Sequence, residues 1–295
     1  MRILVSGASG LLGQRVSAML GARGDTVVAL SRRAAPGAIA WDPEAKRLDR
    51  TLLAGFDAVV HLAGENIAAA RWSAAQKTKI LASRVDGTKL LAEAVAELPA
   101  RPSVFVQASA IGYYGSRGDE ILDEASAPGH DFLAGVVKEW EAAAEPARAR
   151  GIRTVALRFG VILAKDGGAL KKMLLPFKLG LGGKIGAGAQ WMSWIHLEDA
   201  ARAVLFAIDT KSMSGPAVAT SPCPVTNQGF TKALGRALGR PTIFPMPAFA
   251  AKLAFGEMAE ALLLASQRTE PKRLVAAGFQ FFHPNLDDAL KDLLN

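Results

Sequence analysis

The chain has few of the residues that carry several common kinds of chemistry. Cys223 is the single cysteine among 295 residues, so neither an intrachain disulfide nor a cluster of thiolate ligands can form. The four histidines lie far apart and show none of the spacings typical of a metal site, so we predict no metal. The cysteine content favours a reducing compartment, and we expect the protein in the cytoplasm.

Long apolar runs are also missing. The longest apolar stretch, 248–265, is interrupted by Lys252, Glu257 and Glu260, and it predicts an amphipathic helix instead of a membrane span. The first residues lack the features of a signal peptide and have the pattern of a strand. The sequence therefore predicts no membrane partner.

The charge of the chain is positive but not concentrated. Lysine and arginine number 35 against 27 acidic residues, which gives a formal net charge of +8. The basic residues are scattered, without interleaved aromatics or a known nucleic-acid motif, so we expect no nucleic-acid partner. A phosphate-rich ligand and a solvated cationic surface account for the excess.

A glycine turn at residues 7–13 is the most informative feature. It follows the apolar run 2–6, which is typical of a buried strand, and precedes 14–23, where apolar positions recur at helical spacing. In this context glycines let the backbone approach a phosphate, and unpaired N–H groups of the helix point at the anion. The turn predicts a dinucleotide site.

Strand and helix patterns alternate along the first two-thirds of the chain. Four further apolar stretches predict strands at 26–30, 58–62, 104–108 and 154–157. Such alternation predicts an α/β fold, a Rossmann-type doubly wound parallel sheet with helices on both faces. We expect this domain to span residues 1–165, with 190–220 returning to it. Residues 166–295 would form a smaller, mainly helical C-terminal substrate lobe.

Two local signals refine this organisation. Ser73 and Gln76 have the spacing of a capping box, which predicts the start of a long helix. Five glycines between Gly180 and Gly188 exclude regular structure there and predict a mobile loop.

The residues that close the second strand indicate the cofactor. An acidic side chain at this point accepts hydrogen bonds from ribose hydroxyls and repels a 2′-phosphate. Here the strand ends in Ser31, Arg32 and Arg33, a hydroxyl and two guanidiniums that suit a phosphate. We therefore predict NADP as the cofactor. Arg33 is equally compatible with a solvated position.

Several further motifs resemble those of the extended short-chain dehydrogenases/reductases. They are the glycine turn, Leu62-Ala63-Gly64, the stretch 109–115 (SAIGYYG) and the stretch 194–199 (WIHLED). The chain is most similar to an atypical branch, the sugar-nucleotide-epimerase-like proteins with a C-terminal domain of unknown function. That similarity rests on features such as Trp41-Asp42-Pro43, Glu65-Asn66-Ile67, Arg71-Trp72 and the tail motif 255–258 (FGEM).

The resemblance implies roles for particular residues. The pyrophosphate would be wrapped by Gly7, Ser9, Gly10, Leu11, Leu12 and Gly13. Asp42 would approach the adenine, and the segment Leu62, Ala63 and Gly64 would line the cofactor. Ser109 would lie near the nicotinamide, because ligands bind at the carboxyl edge of such a sheet.

The catalytic pattern of typical members is incomplete in this chain. They use a tyrosine and a lysine four residues apart on one helix, so that the ammonium lowers the pKa of the phenol. The corresponding helix, 132–141, contains no tyrosine, and Lys138 is out of register. The resemblance also aligns Ala110, not Ser109, with the usual catalytic hydroxyl. Successive strand side chains face opposite ways, so Ser109 replaces that hydroxyl only if the strand has already ended.

The remaining catalytic candidates each have a structural alternative. Ser109 is either catalytic or a cofactor contact or turn former. Tyr114 is either an alternative proton donor or an aromatic packed over the fifth strand. Glu65, which we group with the cofactor-binding residues at the cleft edge, either carries a proton or anchors Arg71 or Arg84. Arg84 either holds a substrate anion or the cofactor phosphates, or forms a structural ion pair.

Two classes of function remain open. The leading hypothesis is an NADP-dependent oxidoreductase acting on a small carbonyl or alcohol, with a sugar-nucleotide epimerase as a second enzymatic reading. The alternative is a module that senses NADPH and reports its state to a partner without turnover. Amphipathic helices of the tail could also bury a homodimer seam.

Overall fold

The computed structural model of the protein describes residues 1–33 and 35–294. Its strands are β1 (Arg2–Ser6), β2 (Thr26–Ser31), β3 (Ile39–Asp42), β4 (Arg47–Leu48), β5 (Ala58–His61), β6 (Val104–Ala110), β7 (Ile121–Leu122), β8 (Arg153–Phe159), β9 (Val161–Ala164), β10 (Trp191–Met192), β11 (Trp194–His196), β12 (Gly215–Ala219), β13 (Val225–Thr226) and β14 (Arg268–Thr269). Its α-helices are α1 (Leu11–Ala22), α2 (Ala74–Ala96), α3 (Phe132–Ala142), α4 (Glu145–Ala149), α5 (Gly168–Lys178), α6 (Leu197–Asp209), α7 (Asn227–Leu238), α8 (Ala248–Phe255), α9 (Lys272–Ala276) and α10 (Leu286–Leu294).

Eight strands form the main sheet in the order β12-β8-β6-β5-β1-β2-β3-β4. Every neighbouring pair is parallel except β3 and β4. The carboxyl ends of the parallel strands therefore meet along one edge, beside the glycine turn that follows β1. The predicted Rossmann-type parallel sheet is confirmed.

Helices cover both faces of this sheet, which explains why its strands are continuous apolar runs. Within β1, Ile3 and Val5 belong to the core that includes Val16 of α1 and Val204 of α6. Leu4 faces the other way, into a core formed largely with α2. All three β1 side chains are fully buried, so the strand is held from both sides.

The helix predicted from the capping pair begins where expected. Ser73 Oγ accepts a hydrogen bond from the backbone N–H of Gln76 at 3.2 Å, and α2 starts at the next residue, Ala74. The cap satisfies one of the N–H groups that a helix start leaves unpaired.

A separate core holds much of the C-terminal part of the chain. It joins Leu170 of α5, Trp194 of β11, Phe230 of α7 and Leu290 of α10. The intervening strand β12 pairs with β8 and so belongs to the main sheet. No helix in the described part of the chain has the length and apolarity needed to cross a bilayer.

The single helix predicted for 248–265 is wrong. The structure ends α8 at Phe255, because Gly256 takes a left-handed conformation with φ of 62°, and a separate π-helical turn follows at Ala259–Leu264. A Cβ on Gly256 would lie 3.1 Å from Arg71 Nη2, so the chain turns beside the β5–α2 loop. Apolar periodicity alone gave no sign of this contact.

The glycine-rich loop predicted at 180–188 makes specific backbone contacts. Met246 N–H donates to the carbonyl of Lys184 at 2.9 Å, and Gly186 N–H donates to the carbonyl of Met246 at 2.8 Å. The glycines permit this close pairing, since a Cβ on Gly183 would collide with the backbone of Phe244.

Candidate functional site

The glycine turn has no room for side chains at two of its positions. Gly7 has a φ of 69°, and a Cβ there would lie 2.8 Å from the backbone nitrogen of Ala63. A Cβ on Gly13 would lie 2.1 Å from the carbonyl oxygen of Gly7. These contacts bring the start of α1 against the ends of β1 and β5, as a phosphate cradle requires.

The first N–H groups of α1 are left for a ligand. Gly10 is the residue before the helix, and no side chain in the described residues caps that end. The first turn of the helix also contains no acidic residue. Unpaired N–H groups and the positive end of the helix dipole therefore face the cradle and favour an anion.

A buried hydrogen-bond network fixes the neighbouring cofactor-lining segment. Ser6 ends β1 and His61 ends β5, and Ser6 Oγ lies 2.6 Å from His61 Nδ1. The same oxygen accepts hydrogen bonds from the N–H groups of Leu62 and Ala63 at 3.2 and 3.3 Å. Burial lowers the pKa of His61 to about 4, so the imidazole is neutral. Because Ser6 Oγ already accepts two N–H groups, its own hydrogen is directed to Nδ1. This role of His61 could not be recognised in the sequence, where its only signal was a polar residue closing an apolar strand.

The residues predicted to select the cofactor lie at the end of β2. Ser31 is half-buried, and Arg32 and Arg33 are exposed. Ser31 Oγ accepts a hydrogen bond from the N–H of Arg33 at 3.1 Å, which leaves the hydroxyl hydrogen free. This grouping at the outer end of the carboxyl edge is suited to a phosphate.

Asp42 ends β3, one strand further from the glycine turn. Its carboxylate accepts hydrogen bonds from the N–H of Ala45, in the turn that joins β3 to β4, and from the side chain of Arg47, which begins β4. These bonds, chiefly the one from Ala45, hold the pKa of Asp42 below its ordinary value. The carboxylate thus also organises its own turn.

Arg84 lies beneath the segment that follows β5. A Cβ on Gly64 would lie 3.4 Å from Arg84 Cζ, and that carbon stands 5.0 Å from the ring centre of Trp140. Arg84 donates to the carbonyl of Ile80 at 3.1 Å. Burial lowers the pKa of Arg84 to about 10, against an opposing effect of Glu65. The guanidinium is therefore a desolvated cation close to the predicted cofactor segment.

The two predicted catalytic hydroxyls belong to one network. Strand β6 continues to Ala110, so Ser109 faces away from Ala110 and toward α3, where it donates to Glu141 Oε1 at 2.6 Å. Arg158 binds both carboxylate oxygens of Glu141, at 2.7 and 2.8 Å. Its Nη1 donates to Tyr114 Oη at 3.0 Å. A chain of polar contacts thus runs from Ser109 to Tyr114.

Arg158 is the centre of this network, and it is a functional candidate that the sequence motifs did not indicate. It projects from β8 beside Ser109 of β6 and is 2 % exposed. Burial works against its charge, but the hydrogen bonds and charge of Glu141 raise the pKa of Arg158. Burial also raises the pKa of Tyr114 to about 12. The available signal was an arginine within an otherwise apolar strand.

A second cluster forms away from the glycine turn. His196 stands before α6, and its Nε2 lies 3.2 Å from Asp292 Oδ2. The ring of His283 stacks on it, with centres 4.0 Å apart. His196 Nδ1 accepts the N–H of Glu198, which places the hydrogen of the neutral ring on Nε2. That nitrogen approaches the Asp292 carboxylate of α10 without a well-directed hydrogen bond, so the ring stacking and this electrostatic contact are suited to holding the tail against α6.

Comparison with known proteins places this geometry in a family. Residues 3–218 match the NAD dependent epimerase/dehydratase family, and residues 246–293 match a domain of unknown function, DUF1731. The chain belongs to the NAD dependent epimerase/dehydratase family. The family resemblance inferred from the motifs is therefore confirmed.

Individual relatives of this epimerase-family chain match along nearly its whole length. Epimerase family protein Mb2239 of Mycobacterium bovis is 44 % identical over 290 residues, which covers 98 % of this chain and 96 % of the relative. Epimerase family protein YfhF of Bacillus subtilis is 37 % identical and covers 100 % of this chain and 98 % of its own length. The crystal structure of human epimerase family protein SDR39U1 (isoform 2) with NADPH superimposes with a TM-score of 0.91 at 37 % identity, covering 99 % of each chain.

Proposed function

We propose that this protein binds NADPH and transfers hydride between it and a small carbonyl or alcohol substrate. The close backbone packing at Gly7 and Gly13 is evidence for dinucleotide binding. Cβ atoms at these positions would fill the space that lets the backbone approach a phosphate. The hydroxyl of Ser31 and the guanidinium of Arg32, at the end of β2, are the features that favour a cofactor with a 2′-phosphate. The similar human SDR39U1 has been crystallised with NADPH, which is consistent with this choice.

Different residues of the chain would bind different parts of the cofactor. The N–H groups at the start of α1 would hold the pyrophosphate, and Leu62, Ala63 and Gly64 would line the cofactor over the neutral Ser6–His61 pair. Asp42 would stand near the adenine. When bound, the cofactor supplies the hydride chemistry, and the protein orients the reacting partners.

Because β6 continues to Ala110, Ser109 does not take the place of the usual catalytic hydroxyl; we assign the proton path of such a reaction to Ser109 through its hydrogen bond to Glu141 instead. Its hydrogen is donated to Glu141, so its lone pairs are free to accept a substrate hydroxyl. A proton taken up by Ser109 Oγ would be matched by transfer of the serine's own proton to Glu141 Oε1. Arg158 opposes this transfer, because it stabilises the ionised carboxylate.

The same network favours a second candidate function, an NADPH sensor without turnover. Ser109 is 3 % exposed and Tyr114 is fully buried. Each hydroxyl already has a charged partner, since Ser109 donates to Glu141 and Tyr114 accepts from Arg158. Such bonds are expected of groups that stabilise the edge of a sheet. A reporter of the bound cofactor would need no free hydroxyl. The single cysteine supports action in a reducing compartment such as the cytoplasm.

One experiment separates the two functions. Binding of NADPH is measured by titration, and its consumption is then followed with a panel of aldehydes, ketones and nucleotide sugars. Turnover with one of these, reduced roughly 100-fold or more in Ser109→Ala with NADPH binding retained, supports catalysis through Ser109. Tight binding without oxidation by any compound supports the sensor. Failure to bind NADPH overturns both.

A further inference from the structure

Two segments of the C-terminal part of the chain contain no acidic residue. Between 167 and 197, and again between 240 and 256, there is neither aspartate nor glutamate. The same segments carry six cations: Lys171, Lys172, Lys178, Lys184, Arg240 and Lys252. Only Lys252 forms an ion pair in the described part of the chain, with Glu260. The positive charge in these segments is therefore largely uncompensated.

Large apolar side chains protrude from the same two segments. Six of them define what we call the basic apolar face: Leu179, Leu181, Ile243, Phe244, Phe249 and Leu253. Each is more than half exposed, and Phe249 and Leu253 reach 73 % and 78 %. The latter two are one helical turn apart on α8 and so lie on the same side of that helix.

Backbone contacts hold the two segments side by side. Phe244 N–H donates to the carbonyl of Gly182 at 3.4 Å, and Met246 N–H donates to that of Lys184 at 2.9 Å. These contacts place the loop after Leu179 and Leu181 beside the strand-like stretch that contains Phe244, and α8 with Phe249 and Leu253 follows directly in the chain. Exposed apolar side chains grouped in this way mark a site of interaction.

We propose that the basic apolar face rests on the surface of an anionic lipid bilayer. Its leucine, isoleucine and phenylalanine side chains would enter the headgroup region, and the surrounding lysines and Arg240 would lie near the lipid phosphates. Charge complementarity decides the occupant, because two segments that carry six cations and no acid of their own, with one cation paired to the nearby Glu260, fit a uniformly negative surface. This contact is independent of the proposed cofactor chemistry.

Two other occupants fit the charge pattern less well. A second copy of the chain, packed about a twofold axis, would bring this cation-rich face against its own counterpart. A protein partner would meet a face rich in lysine, a residue depleted at protein interfaces. The sequence-based prediction of no membrane partner rested on the missing span, and a peripheral contact needs no span.

Flotation of the full-length protein with lipid vesicles tests the proposal. One set of vesicles is phosphatidylcholine alone, and the other is an equimolar mixture of phosphatidylcholine and phosphatidylglycerol. We expect binding to the mixed vesicles only, weakened by added salt. The double variant Phe249→Ser/Leu253→Ser and the double variant Lys178→Glu/Arg240→Glu should each bind on the order of tenfold more weakly.

Matched controls keep the result interpretable. Val275→Ser removes an exposed apolar side chain elsewhere, and Lys211→Glu reverses an exposed charge elsewhere; both should bind vesicles like wild type. Titration with NADPH verifies that each variant is folded. The proposal is overturned by absent binding to mixed vesicles, by equal binding of the face variants and wild type, or by equal affinity for soluble polyglutamate. It is also overturned if the wild type is a dimer that Leu253→Ser dissociates.

Discussion

Ser6 Oγ and His61 Nδ1 share a 2.6 Å hydrogen bond between the ends of the two central strands, β1 and β5. Both residues are fully buried. Through the N–H groups of Leu62 and Ala63, the bond orders the segment that packs against Gly7. The imidazole must be neutral for this arrangement, so the cofactor cradle depends on the protonation state of one histidine.

Acid should therefore weaken the fold through His61. Its pKa is about 4 in the folded protein and 6.5 ordinarily, so below about pH 6.5 the unfolded chain binds the extra proton first. The unfolding free energy should fall between about pH 6.5 and pH 4 by roughly 3 kcal/mol from this group. Urea denaturation of wild type and His61→Gln across this range measures the difference. The variant should show a smaller pH dependence, whereas His130→Gln, at an exposed position, should match wild type.

Gly13→Ala should abolish NADPH binding and destabilise the protein. The added methyl group would lie 2.1 Å from the Gly7 carbonyl oxygen, a backbone atom that cannot move aside without opening the turn. Gly21→Ala is the matched control on the same helix, because nothing lies within 4 Å of its Cβ position. That control should bind NADPH normally and gain up to about 1 kcal/mol in stability. Normal binding by Gly13→Ala would contradict the assigned cradle.

Arg32→Glu should discriminate between the two nicotinamide cofactors. The exposed Arg32 stands at the end of β2, where a carboxylate would repel the 2′-phosphate of NADPH and leave NADH less affected. We expect the dissociation constant for NADPH to rise by on the order of tenfold or more, and that for NADH by much less. Equal losses in parallel titrations would show that Arg32 does not contact the 2′-phosphate. Lys89→Glu, an exposed change on α2, is the control.

Arg158→Met should cost about 3–5 kcal/mol of stability, because it leaves the Glu141 carboxylate without its bidentate partner in a mostly buried site. Adding Glu141→Leu should restore much of the loss, since no unpaired charge then remains. Thermal or urea unfolding of the single and double variants measures this coupling. Additive losses in the double variant would show that the two residues act separately.

The fold could be predicted from the sequence because its signals are local. Apolar runs at 2–6, 26–30 and 104–108, with glycines between the first strand and its helix, specify a parallel sheet and a phosphate turn. The helix boundary at 256 could not be predicted, because it depends on a glycine conformation beside the distant Arg71.

The sequence by itself therefore determined the parallel, Rossmann-type class of the fold, the position of its glycine turn and the phosphate-compatible end of β2. Only the tertiary structure paired Ser6 with His61, joined Ser109 and Tyr114 through Arg158, and brought 182–186 beside 244–246. The physical reason is the sequence distance over which each kind of interaction acts. Periodicity and turn chemistry act over a few residues, whereas these contacts join side chains and segments that strand register and packing bring together from distant parts of the chain.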